Sequence, residues 1–253
     1  LIQAQRALDA GRLGEANTLL AQVRERADAA ISGDREFGRA YLVAAEAYRL
    51  QDNYQNAIDT LNTAQVVDSL STDLRIVVAR GQTYMERGFA RRSQGDESGA
   101  RDDFDRAGYE AFFALYVNPY NQPARRLSVE SALAQGDYGL GVIRSQGYLI
   151  VYPESAEAFR LLGDARVREG NTDLALDAYS RALEVGGLSE VMLEVRRSRA
   201  RLYMQQRRFA AKNRCQKQVA GFFYYVDVGD VTQTTRQLAA GAHDCELSPA
   251  ALG

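Results

Sequence analysis

Apolar residues recur at three- and four-residue spacings along most of this chain, with polar residues filling the positions between. Tyr41, Ala44, Ala45 and Tyr48 fall on one side of a helix, and Ala57, Leu61 and Ala64 on one side of the next. The same pattern returns at Phe159, Leu162 and Gly163, followed by Ala175, Tyr179 and Ala182. Fainter versions run through Ala4, Ala7, Ala16, Leu20 and Val23, through Val129, Ala132, Gly141, Tyr148 and Pro153, and through Ala200, Tyr203, Phe209 and Val219. Turn-forming residues sit where one helix should hand over to the next: Gly11, Gln51-Asp52-Asn53, Gly136-Asp137 and Gly170-Asn171. Asp34, Asp73 and Ser155 read as helix N-caps, and Pro123 fits the first turn of a helix, where its missing N–H does no harm. The pattern predicts an all-α chain of five to six antiparallel helix pairs over residues 1–220.

The spacing within a pair is specific. An aromatic or bulky residue comes first, then a small residue on the first helix (Ala45 or Gly163), then alanines on the second (Ala57 and Ala175). Small residues let the two helices approach closely, and Tyr48, Leu61 and Tyr179 fill the space beside them. Val129 precedes Gly163 by about 34 residues, one period of a common helical repeat. In these residues the chain resembles the tetratricopeptide-repeat (TPR) family. It departs from that pattern at Arg166, where a tyrosine is usual, and at Gly187, where a proline is usual. The resemblance implies a right-handed α-solenoid whose hairpins bury their apolar faces by stacking. It also implies a fold far more than a function.

Residues 73–119 depart from the period in an orderly way. Val77, Gly81 and Tyr84 mark a first helix, and Ala107, Ala111 and Ala114 a second. About fourteen extra residues lie between them, two helical turns on each arm, so the arms stay in phase and project about 10 Å. An extended hairpin over residues 88–106 is expected, its charged tip at Gly95-Asp96, either as a solvated elongation or as a docking knob. Beyond residue 220 the period is lost. Phe222, Phe223, Tyr224 and Tyr225 cannot all face one side of a helix. Residues 221–253 are expected to form a C-terminal cap and tail, with a last helix near residues 230–240.

Composition changes this picture little. Hydrophobic residues make up 46 % and charged residues 25 % of the 253, as in ordinary globular chains. The net charge of −2 gives no general pull toward nucleic acid or anionic membranes. No run of some 18 apolar residues is present, so no membrane insertion is expected within the chain. The first residue, Leu1, falls inside a helical pattern, which leaves room for a signal segment or anchor upstream.

Candidate chemistry is sparse. No phosphate-binding glycine loop ending in Lys-Ser or Lys-Thr is present. Gly139, Gly141 and Gly147 follow no strand, so they make no dinucleotide site. The only histidine, His243, lies in the tail; with Cys215 and Cys245 it provides too few ligands for a structural zinc. No catalytic, cofactor-binding or metal residue is assigned. Cys215 and Cys245 can pair, pinning the tail to the last repeat and implying an oxidising, exported or outward-facing setting; the alternative is two reduced thiols in a cytoplasmic protein.

The resemblance further implies that first helices line a concave groove. The inward pairs are Leu42 and Glu46, Val78 and Gln82, Arg126 and Glu130, Arg160 and Asp164, and Arg197 and Arg201. The Lys/Arg-then-Asn arrangement that clamps a peptide's terminal carboxylate in some members is absent. Either Arg126–Glu130 and Arg160–Asp164 pair along their own helices, or the C-terminal half of the groove accepts carboxylates. The expected function is a non-catalytic scaffold, an adaptor or assembly subunit that binds another protein. A stand-alone peptide-binding module or chaperone co-factor is the alternative.

Overall fold

A computed structural model of the chain describes residues 1–187 and 190–205. Among these residues the regular structure is helical, without strands. The helices are α1 (Ile2–Asp9), α2 (Leu13–Gly33), α3 (Gly38–Arg49), α4 (Tyr54–Gln65), α5 (Leu74–Ser93), α6 (Glu97–Val117), α7 (Gln122–Gln135), α8 (Tyr138–Val151), α9 (Ala156–Arg168) and α10 (Thr172–Val185). A single 3₁₀ turn, Asp68–Leu70, precedes α5. A further helix, α11, covers 190–205. The chain divides into two compact units, Leu1–Met192 and Leu193–Gly253.

Within the first unit every helix packs on its neighbour in sequence. The first helices of successive pairs also touch one another: α3 meets α5, α5 meets α7, and α7 meets α9. This is the arrangement of an all-α solenoid, in which first helices form one continuous layer. Local sequence explains where the helices begin. Asn53, Asp73, Asp96, Asn121, Asp137 and Ser155 each accept a backbone N–H of the first turn of the helix that follows. Pro123 lies in the first turn of α7. Asp34, expected as a cap, is not one. α3 starts four residues later, with Phe37 at its N-cap, and the Asp34 carboxylate instead accepts from Glu36 N at 2.9 Å within the connecting loop. Asp52 occupies the left-handed region at φ 55 in the α3–α4 turn, a conformation its short polar side chain tolerates.

The core is assembled from small residues facing large ones. Ala44, Ala57, Ala107, Ala111, Ala175 and Ala182 are buried, as are Leu61, Phe104, Leu127, Tyr148 and Tyr179. A Cβ on Gly163 would collide with the Tyr179 ring, and one on Gly81 with Leu127. Glycine at those two positions is what lets the helices close.

The α5–α6 pair is the long one, with 20 and 21 residues and a turn at Gln94–Asp96. Its distal part is packed on its inner face. Ala100 and Phe104 are fully buried, Phe89 lies 5.0 Å from Phe104 between ring centroids, and Gly88 abuts the same ring. Arg92 crosses from α5 to donate to the Ala134 carbonyl in the last turn of α7 at 2.8 Å. That is a favourable place for a cation, at the negative end of a helix. The α6 partner of this pair has an equal in α2, also 21 residues, which the repeat spacing does not announce.

Candidate functional site

The layer formed by α3, α5, α7 and α9 carries the side chains that the repeat pattern assigns to a groove. Leu42, Glu46, Gln82, Glu130, Arg160 and Asp164 are half-buried, Val78 is buried, and Arg126 is exposed. Most of them are already engaged. On α9, Arg160 is bracketed by Glu157 at 2.9 Å and Asp164 at 2.7 Å, one turn on either side. Asp164 also accepts the Tyr179 hydroxyl at 2.6 Å, so α10 helps to hold the α9 carboxylate in place. On α7, Arg126 approaches Glu130 at 3.5 Å and remains 44 % exposed along its side chain, against 15 % for Arg160. Of the two expected arginines in this unit, Arg126 is therefore the accessible one and Arg160 is a fixed part of the wall.

Toward α3 and α5 the balance is acidic. Arg49 donates from Nε to Glu46 at 2.9 Å and from Nη1 to Glu86 on the neighbouring first helix. Burial raises the Glu86 carboxyl above its ordinary range; Glu46 and Asp52 push it the same way, while Arg49 opposes them. Tyr54, at the start of α4, donates to Asp52 at 2.7 Å. Burial first, and that hydrogen bond second, push its phenol up to about 12.

Between α4, α5 and α6 lies a set of ion pairs that no periodic pattern reveals. Arg80 of α5 makes a bidentate contact with Glu110 of α6 at 2.9 and 2.8 Å, both groups nearly fully buried, and also reaches Asn62 at 3.0 Å and Gln65 on α4. Two turns further on, Arg87 grips Asp103 at 2.9 and 2.6 Å and Gln55 of α4 at 2.6 Å, while Arg91 adds a contact to Asp103 at 3.0 Å. The planar guanidiniums of Arg80 and Arg87 each satisfy partners on two helices at once. These partners stand 12 to 32 positions apart in sequence, which is why helical periodicity gives no hint of them.

Arg197 and Arg201 are exposed on α11 and belong to the second unit. Cys215, Cys245, His243, the aromatic run Phe222 to Tyr225, the helix expected at 230–240 and the boundary expected at residue 220 all lie outside the described residues. Among the described residues no three His, Cys, Asp or Glu side chains are grouped to hold a metal, and no helix is long and apolar enough to cross a membrane.

The sequence matches no family model and no curated protein. Solved structures do resemble it. A thermophilic TPR protein of Thermus thermophilus aligns over 81 % of this chain and 97 % of its own, with a TM-score of 0.60 at 18 % identity. A MamA fragment from Desulfovibrio magneticus RS-1 aligns over 72 % of this chain and 90 % of its own, with a TM-score of 0.50 at 14 % identity. At such identities the likeness is one of fold.

Proposed function

Because this chain has the tetratricopeptide-repeat fold, we propose that it is a non-catalytic protein-interaction scaffold, an adaptor or assembly subunit whose groove receives a carboxylate-bearing segment of another protein. The observation that carries this reading is the contrast between its arginines. Those that organise the solenoid, Arg80, Arg87 and Arg160, are short-range partners of buried or half-buried carboxylates. Arg126, by contrast, presents an exposed guanidinium on the first-helix layer, with a loose 3.5 Å contact to Glu130. Arg197 and Arg201, exposed one turn apart on α11 of the second unit, offer a separate pair of guanidiniums to a carboxylate. Beside Arg126 in the first unit, Glu130, Arg160 and Asp164 act as the pre-set polar wall against which the segment lies.

A rigid wall favours this role, because side chains ordered before binding lose little further freedom on contact. The carboxylate preference follows from the donors: a guanidinium takes a carboxylate through two parallel hydrogen bonds. The test is to recover the partner with the tagged full chain and titrate it against wild type, Arg126→Ala and the pair Arg197→Ala/Arg201→Ala at low and moderate salt. The three substitutions together should weaken binding about tenfold and flatten its salt dependence. Unchanged affinity at both salt levels would place the partner elsewhere. Stable recovery of one large partner supports an adaptor; weak binding of short peptides alone supports the stand-alone module.

A further inference from the structure

The two helices of each pair in the first unit are matched in length, with one exception. α3 and α4 have 12 residues each, α5 and α6 have 20 and 21, α7 and α8 have 14 each, and α9 and α10 have 13 and 14. α1 has 8 residues against 21 in α2. Leu1 packs in one cluster with Val23 of α2. The part of α2 beyond Val23, about ten residues or roughly 15 Å, therefore has no first helix opposite it. A repeat buries its apolar faces only against neighbouring helices, so this stretch of α2 is left with one side uncovered.

A cleft of about 730 Å³ lies at that place. Val23, Ala27 and Ala30 of α2 form one wall, Phe37 and Val43 the other, and Ile2 stands at the end nearest α1. Ile2 and Phe37 are 73 % and 46 % exposed there. The charged groups of the lining are Arg26 and Arg39, both exposed, and neither forms an ion pair among the described residues. The nearby carboxylates stand elsewhere. Glu25 and Asp28 fall on the side of α2 turned away from Val23, Ala27 and Ala30 by the helical period. Glu46 of α3 is taken by Arg49 at 2.8 Å. Asp34, Arg35 and Glu36 belong to the α2–α3 loop and do not line the cleft. An apolar floor with a few cationic groups at its edge is the make-up of a binding site.

We propose that this cleft receives an amphipathic α-helix of about three turns from a partner protein, laid along the line of α1 and completing the pair that α2 begins. Its inner face carries small and aliphatic residues against α2 and α3. Its flanks carry Asp or Glu beside Arg26 and Arg39. Shape argues for a helix, because the uncovered stretch of α2 is bordered by α3 just as each paired second helix is bordered by the first helix of the next pair. Charge complementarity argues for the acidic flanks, because the lining offers two guanidiniums and no carboxylate. The cleft shares no residue with the arginine-bearing part of the groove, so the two sites stand or fall separately.

The chain contains no tryptophan, so a tryptophan placed in a synthetic peptide reports binding without background. Short helices are marginal in water, so the probes are three peptides stapled as helices. The first has an alanine and leucine stripe with Glu flanks, the second the same stripe with Lys flanks, and the third the residues of the first scrambled out of register. The full chain should bind the first saturably, at least about tenfold tighter than the second, and should not bind the third. Ile2→Ser/Phe37→Ser should abolish binding, and Arg26→Gln/Arg39→Gln should remove the difference between the first two peptides. All four side chains are exposed, so circular dichroism should show an unchanged fold. Equal binding of the first two peptides to wild type, binding that survives Ile2→Ser/Phe37→Ser, or no saturable binding overturns the proposal. A dimer in sedimentation that disappears in Ile2→Ser/Phe37→Ser also overturns it and assigns the cleft to a second copy of the chain. Binding by the isolated chain that is absent from the protein purified from its own cells overturns it as well and assigns the cleft to the same polypeptide.

Discussion

Tyr179 is held at both ends. Its ring lies against the bare Cα of Gly163, and its hydroxyl donates to Asp164 at 2.6 Å. The ring therefore cannot swing aside when volume is added beneath it. Gly163→Ala should destabilise the first unit by about 1–3 kcal/mol, the usual cost of overpacking a closed core, read as a lower urea midpoint with an unchanged slope. Glu86 makes a different residue-scale prediction. Its carboxyl is raised chiefly by burial, so the protonated form suits the folded state better than the ionised one. Stability from this group is present below its unfolded pKa and is lost as pH rises through the raised folded pKa. Glu86→Gln removes that loss. The melting temperature of the variant should gain on wild type as pH is raised from 4 to 7, and a constant difference between the two would show that Glu86 is not under this strain.

At the scale of elements, the α4–α5–α6 group is bolted twice, by Arg80–Glu110 and by Arg87–Asp103 with Arg91. Burial makes these pairs asymmetric. Removing one partner strands a charge in a low-dielectric setting, whereas replacing both by apolar groups need not. Asp103→Ala should cost about 3–5 kcal/mol, because it strands the largely buried Arg87 guanidinium without an anion. Glu110→Leu alone should be more destabilising than Arg80→Met/Glu110→Leu, a comparison that denaturant melts of the three proteins decide. The same bolts explain the long α5–α6 pair. Its length was legible in the sequence as an in-phase excess of residues. Its attachment was not, because the partners of Arg87 and Arg92 come from α4 and α7. Excising 88–106 as a dispensable knob would remove Phe104 and Asp103 from the core.

Across the whole molecule, the polar groups of the first-helix layer divide into those that are engaged internally and those that remain available. Arg160, bracketed by Glu157 and Asp164, belongs to the first kind. Replacing it with alanine should lower stability and leave partner binding less salt-sensitive only through loss of wall order. Replacing Arg126 should do the reverse, with no shift in melting temperature and weaker binding at low salt. Calorimetry and titration of the two single variants separate these outcomes. An equal melting shift in both would remove the distinction on which the groove reading rests.

Local chemistry was sufficient to determine the helices of this protein, their antiparallel pairing and most of their caps, because each depends on residues within one or two turns: Asp73 and Ser155 on the N–H groups just ahead of them, Gly163 and Tyr179 on a fixed hairpin spacing. Asp34 failed as a cap because a short loop offered its carboxylate a nearer N–H than the next helix did. The exposed row of Tyr109, Phe112 and Tyr116 on α6 was present in the sequence at helical spacing, yet it was interleaved with the alanine stripe of the same helix, and periodicity alone does not say which of two apolar faces is buried. Only the stacking of successive pairs decided that. The tertiary structure likewise decided which arginines are consumed, since a guanidinium's partner is whatever carboxylate folding brings within about 3 Å, and for Arg80 and Arg87 those carboxylates arrive from a different helix.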